Sequence, residues 1–120
     1  MIKNGILFLL AIMLITGGCA GSIESRRIEI KSQYPQWDQG TVENVAGRNI
    51  VPGMTEDMAF AAMGKPWDKS REGKFTIWAY GYFRGCGETT CQELTYFIYF
   101  EDQKVIKIKG DKKRLGAQYL

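Results

Sequence analysis

Two stretches of alternation, Lys74 to Arg84 and Glu93 to Glu101, constrain the fold of this chain more than any other feature. In the first, Thr76, Trp78, Tyr80 and Tyr82 fall on one side of an extended backbone and Phe75, Ile77, Ala79 and Phe83 on the other. In the second, Leu94, Tyr96, Ile98 and Phe100 oppose Thr95, Phe97 and Tyr99. A period of two, dense in aromatic and β-branched residues, predicts strands. After a turn at Asp102-Gln103, Lys104 to Lys109 continues with Ile106 and Ile108 inward and Lys107 and Lys109 outward. The expected unit is a three-stranded antiparallel meander.

Upstream the period lengthens. Thr55 stands where it can cap a helix, and Glu56 and Asp57 place negative charge at its positive end. Gly64 and Pro66 close it, so the helix spans about Glu56 to Met63, with Met58, Ala59, Ala62 and Met63 as its packing stripe. Pro35 to about Gly47, carrying Trp37, Val42, Val45 and Ala46, reads as an earlier helix, although Gly40 weakens it. Ile50-Val51 then run extended into Pro52. Two short helices on one face of three strands give an α+β two-layer domain of order ααβββ.

Two short helices cover one face of such a sheet, yet both faces carry large aromatics. Trp78, Tyr80, Tyr82, Phe97 and Tyr99 are therefore the expected binding surface, opposite the helices, since exposed aromatic patches usually have a partner. The bland alternative is that these rings thicken a small core or are shielded by the N-terminal segment.

Residues 1–18 read as a signal peptide: Lys3, an apolar run from Ile6 to Ile15, then small residues before Cys19. The run is far shorter than the roughly 20 residues a membrane span needs. Its Gly-Gly-Cys ending resembles a bacterial lipobox, which implies acylation of Cys19, palmitate being a usual chain, and cleavage before it. An ordinary secretory signal cut near Ala20, or a buried cysteine, are the other readings. Ala20 is not the aspartate associated with inner-membrane retention, so a lipid-anchored chain is expected at the outer membrane, facing the periplasm. Residues 19–33 mix Glu24, Arg26, Arg27, Glu29 and Lys31 with few apolar residues and read as the lipidated cysteine and a solvated tether, unless Ile28 and Ile30 add an edge strand. The domain then covers 34–110, with 111–120 as a basic tail. About 90 residues suffice for one core and not for two.

Three cysteines leave one unpaired in an exported protein unless it is modified. With Cys19 acylated, Cys86 and Cys91 at the tip of a hairpin are expected to form a disulfide. Two free thiols or a redox pair are the alternatives.

Gly53-Met54-Thr55, Gly64-Lys65-Pro66, Trp78-Ala79-Tyr80 and Leu94 to Phe100, in that order and spacing, resemble the SmpA/OmlA (BamE-like) family of small outer-membrane lipoproteins over about Tyr34 to Lys109. Met63-Gly64 stands where the family usually has Leu-Gly, and Cys86 to Cys91 falls outside its pattern. The resemblance implies the same ααβββ fold and a role accessory to β-barrel assembly or envelope integrity, with a partner in that machinery.

Catalysis finds no support. The chain has no histidine, its acids read as caps, turns and strand ends, and no phosphate-cradling loop is present. No cofactor or metal site is expected. Charge is mild, sixteen basic against thirteen acidic residues, or fifteen once Lys3 leaves with the signal. Lys104, Lys107, Lys109, Lys112, Lys113 and Arg114 cluster toward the C-terminus, where they either attract anionic lipid headgroups or form a solvated tail. Export excludes nucleic acid. The expected function is a non-catalytic interaction module; the alternative is an independent periplasmic ligand-binding or inhibitor module of the β-lactamase-inhibitor-like fold.

Overall fold

The computed structural model describes residues 22–120; the expected signal peptide and Cys19 lie outside the described residues. Three helices, α1 (Ile23–Gln33), α2 (Gln39–Ala46) and α3 (Glu56–Met63), precede four strands, β1 (Asp68–Glu72), β2 (Phe75–Cys86), β3 (Thr89–Glu101) and β4 (Lys104–Gly110). The strands form one antiparallel sheet in sequence order. The α+β class agrees with the alternation, but the expected ααβββ order gains a helix at its start and a strand before its first hairpin.

Each hairpin turns through two residues. Gly73 and Gly87 take positive φ, +61° and +70°, at the first central position of their turns, the sign pattern of type II′. Asp102 and Gln103 are both positive, the pattern of type I′. These turns twist in the sense of the strands they join, so each strand folds straight back on its neighbour. That is how β1 forms at all: Asp68-Lys69-Ser70-Arg71-Glu72 has no apolar period, is exposed throughout, and pairs from Glu72↔Phe75 to Asp68↔Ala79. Its charges blunt the open edge of the sheet. The other edge is closed by the loop before α3, where Gly53 N–H donates to Val105 O and Val105 N–H to Met54 O, both at 2.8 Å.

α3 spans the expected residues, with Thr55 Oγ1 accepting from Met58 N–H at 3.2 Å and Gly64 at φ +76°. α2 is shorter than expected. Asp38 caps it, accepting from Thr41 N–H at 2.7 Å, and Tyr34 and Trp37 stack at 3.9 Å in the turn before it.

Two expectations are corrected. The segment read as a solvated tether is α1, capped by Ser22 and burying Ile30. Its attachment is largely polar. Arg26 donates to carbonyls of α2 and α3, and Arg27 Nη2 donates to Glu43 Oε2 at 3.0 Å, so no apolar stripe announces the helix. The basic tail, although mostly exposed, is likewise not free of the body. It forms 3-10 turns at Lys112–Arg114 and Ala117–Tyr119, buries Leu115 and Tyr119, and donates Gly116 N–H to Gly81 O at 3.0 Å.

The core joins Ile30, Val42, Val45, Ala46, Ala59, Ala62 and Met63 of the helices to Trp78, Tyr80, Tyr96, Ile98, Phe100 and Val105 of the sheet. Two register shifts shape the sheet. Between Tyr80 and Gly81 the β3 partner jumps from Tyr96 to Leu94, leaving Thr95 and Tyr96 as successive buried residues. A Cβ on Gly81 would collide with the Glu93 carbonyl oxygen, so the close approach there requires glycine. The second shift, between Tyr99 and Phe100, places Val105 inside and leaves Ile106 exposed, which corrects its expected inward position; Ile108 still packs against the core.

Candidate interaction surface

Register decides which aromatics share a face. Trp78 pairs with Ile98 and Tyr80 with Tyr96, so both lie on the helix side of the sheet. Ile77 pairs with Tyr99, and Ala79 with Phe97, on the opposite side. That opposite face contributes nothing to the core cluster. Carried across the sheet, its rows read Ser70, Ile77, Tyr99, Lys107 and Asp68, Ala79, Phe97, Lys109.

Among the described residues no helix lies over these rows, yet Ile77 and Ala79 are only 7% and 2% exposed. Their cover is local. Phe75 meets Tyr99 edge-on at 6.2 Å between centroids. Lys107 Nζ sits 4.6 Å from the Tyr99 centroid and 5.5 Å from that of Phe75, with Lys109 Nζ 5.2 Å from Tyr99. Lys74 reaches Phe75 at 5.5 Å. The electron-rich ring faces attract the ammonium groups, and the aliphatic stems lie along apolar surface while the charges stay wet. The result is a half-buried aromatic patch, Phe75, Phe97 and Tyr99, fringed with positive charge. Flexible lysines are a cover that a partner can displace.

Of the five residues expected to form a binding surface, Phe97 and Tyr99 lie on this bare face. Trp78 and Tyr80 do not. They are 5% and 0% exposed on the opposite side, where Tyr80 donates to Gly64 O at 2.8 Å and packs edge-on against Tyr119 at 5.7 Å. Burial raises the phenol pKa of Tyr80 and of Tyr96. Tyr82 stands beyond the first register shift, opposite Glu93, half-buried and away from the patch. The two strands alternate independently in the sequence, and only their relative register says which sets coincide. Phe75 and Ile77 were assigned to the wrong side for that reason, whereas the outward direction of Lys107 and Lys109 was legible.

Trp78 lines a separate cleft of about 460 Å³ with Phe60, Lys65, Pro66 and Trp67 on the helix side. Trp67 is held there by its Nε1–H, which donates to Tyr119 Oη at 2.9 Å.

Past Gly81 the β2–β3 hairpin leaves the body as an arm. Phe83 is 58% exposed and Leu94 37%, so little core lies beneath it. Cys86 and Cys91 form a disulfide at its tip, with Cα atoms 5.6 Å apart, and Arg84 Nε lies 2.7 Å from a Glu93 carboxylate oxygen. Among the described residues, no three or more His, Cys, Asp or Glu are grouped to hold a metal, and no helix is long and apolar enough to cross a membrane.

Fold and surface together define a small two-layer α+β domain with one sheet face under helices and one bare. No family model, curated protein or solved structure matches the chain.

Proposed function

We propose that this chain is a non-catalytic, lipid-anchored interaction module of the bacterial outer membrane, facing the periplasm and accessory to β-barrel assembly or envelope integrity, as its resemblance to the SmpA/OmlA (BamE-like) family implies. The anchor is Cys19, and the docking surface is the bare face around Phe97 and Tyr99. One observation carries the docking surface: aromatic rings lie on the side of the sheet that no helix among the described residues covers, with lysines over Tyr99 and Phe75. Aromatic anchors ringed by polar groups are the usual composition of an interface hot spot, and the lysine fringe selects a partner of acidic character.

The test is a pull-down from detergent-solubilised membranes with the intact chain and with Tyr99→Ala and Phe97→Ala. Co-purification of the barrel-insertion machinery, weakened by about 2 kcal/mol in each variant, is expected. Equal recovery by all three chains would remove the bare face from the reading. Cys19→Ser should leave an uncleaved precursor outside the lipoprotein pool, and metabolic labelling that finds no lipid on the parent chain would remove the anchor. The projecting disulfide-braced arm favours a second reading, an independent ligand-binding or inhibitor module. Recovery of a soluble partner in place of membrane machinery would select it.

A further inference from the structure

Three cations from three elements converge on the C-terminal ends of α2 and α3. Arg26 of α1 donates from Nε to Ala46 O at 3.0 Å and from Nη2 to Val45 O and Ala62 O at 3.2 and 3.3 Å. Arg48, in the turn after α2, donates from Nη1 to the same Ala62 O at 2.7 Å. Lys112 of the C-terminal segment donates from Nζ to Gly47 O at 2.8 Å. Cations are favourable at helix C-termini, but each such end carries only about half a negative charge. Two helix ends therefore offset about one of the three positive charges.

None of the three cations is ion-paired with a carboxylate among the described residues, and residues 1–21 contain no Asp or Glu. Burial and then Arg26 lower the Arg48 pKa, against an opposing contribution from Tyr119, and burial and then Arg48 lower that of Lys112. Capping also leaves donors over. Nη1 of Arg26, Nε and Nη2 of Arg48 and two of the three Lys112 N–H groups have no partner on the chain among the described residues. All three side chains line one cleft of about 380 Å³, with Ile23, Tyr119 and Leu120 beside them.

We infer that this cleft is a binding site for a phosphate-type oxyanion, with Arg26, Arg48 and Lys112 as its ligands. Three positive side chains against two helix ends favour an anion, and donors arriving from three elements suit the oxygens of a tetrahedral oxyanion better than the two of a single carboxylate. The phosphate can be free or carried on a lipid headgroup; the chemistry at the cleft is the same. This inference is independent of the bare sheet face and of the partner proposed for it.

The experiment uses the intact chain with inorganic phosphate, read by thermal melting and calorimetry at fixed ionic strength against chloride. Phosphate should raise the melting temperature. Lys112→Gln should weaken phosphate binding about tenfold, the order of one charge-assisted hydrogen bond. Lys113→Gln removes the same charge from the exposed neighbouring side chain and should leave binding unchanged, while Lys112→Arg should retain both fold and binding. Equal melts in phosphate and chloride, or equal losses in the two glutamine variants, would overturn the site. Vesicles carrying a phosphomonoester lipid then separate the sources: binding that inorganic phosphate displaces supports the site with a headgroup ligand, and phosphate binding without vesicle binding supports it with a soluble one. Vesicle binding unaffected by phosphate, in a chain whose melt ignores phosphate, overturns it.

Discussion

Trp78 and Tyr80 on one side of the sheet, and Phe97 and Tyr99 on the other, are aromatic residues of the same two paired strands, yet the first pair is buried against helices and the second is roofed by lysines. The difference does not lie in the residues. It lies in which neighbours arrive: α2, α3 and the C-terminal segment pack Val42, Ala59, Met63 and Tyr119 onto the first side, whereas the second lies outside that core and has Lys74, Lys107 and Lys109 over its rings Phe75 and Tyr99. An aromatic ring in a strand is thus core or contact surface according to the layer it meets, and its mutational sensitivity should divide along the same line.

The largest effects should fall on the helix side. Tyr80→Ala removes a fully buried ring and its hydrogen bond to Gly64, and should destabilise by about 3–5 kcal/mol, with Ile98→Ala at about 2–5 kcal/mol. Tyr99→Ala should change stability by about 1 kcal/mol or less. Thermal melts check all three, and a Tyr99 variant melting as early as the Tyr80 variant would erase the distinction between the faces.

Alkaline titration sharpens the same contrast. The raised pKa of Tyr80 and Tyr96 means that the folded state resists forming phenolate at these positions, whereas the unfolded chain does so near the ordinary value of 10.0. Their contribution to stability is therefore fully present below about pH 10 and is lost as pH rises toward their folded values. Absorbance and circular dichroism followed together should show these two phenols ionising only as the fold is lost. Ionisation of all tyrosines before any loss of structure would contradict their burial.

The arm extends the comparison, because it projects past the helix-covered core, with Phe83 resting on Trp67 at 4.7 Å. Changing both Cys86 and Cys91 to Ser should lower stability by about 2 kcal/mol, the chain-entropy value for so short a loop, while leaving the helix-covered part of the sheet folded. Hydrogen exchange should accelerate in Tyr82 to Leu94 and not in Thr76 to Tyr80. Stoichiometric alkylation of the unreduced protein would show the disulfide to be absent.

The smallest effect is expected at the rim of the helical layer. Hydrogen bonding to Arg27 lowers the Glu43 pKa, and the Thr41 backbone N–H lowers that of Asp38. Both groups support the fold above their ordinary values of 4.5 and 3.8, and that support disappears as pH falls through their lowered folded values. Glu43→Gln should flatten the acid limb of a melting-temperature profile slightly, and an unchanged limb would assign the acid sensitivity elsewhere.

Much of the fold was legible because it is written locally. Thr55 and Gly64 bracket α3 by capping chemistry alone, the period of two from Phe75 to Tyr80 and from Tyr96 to Phe100 marks two strands, and the cysteine count pairs Cys86 with Cys91. What escaped had no local signature. α1 is held by arginines reaching distant carbonyls, β1 is a charged strand brought into place by the turn at Gly73-Lys74, and Leu115 and Tyr119 find their burial only after the chain has returned to the helices. The bare face was legible only in part, since Phe97 and Tyr99 share the expected surface with Trp78 and Tyr80, which face the other way, and with Tyr82, which lies beyond the register shift.

The sequence by itself determined the capped helix, the aromatic strands and the turn at Asp102-Gln103, and pointed to the hairpin disulfide, because caps, alternation and turn chemistry act over a few residues. Only the tertiary structure decided which aromatics became core, how the C-terminal segment docks, and that Arg26, Arg48 and Lys112 meet at one pair of helix ends. Strand register and long-range packing bring together residues far apart in the chain, and a side chain's alternation fixes its side of a strand without fixing which side the helices will cover.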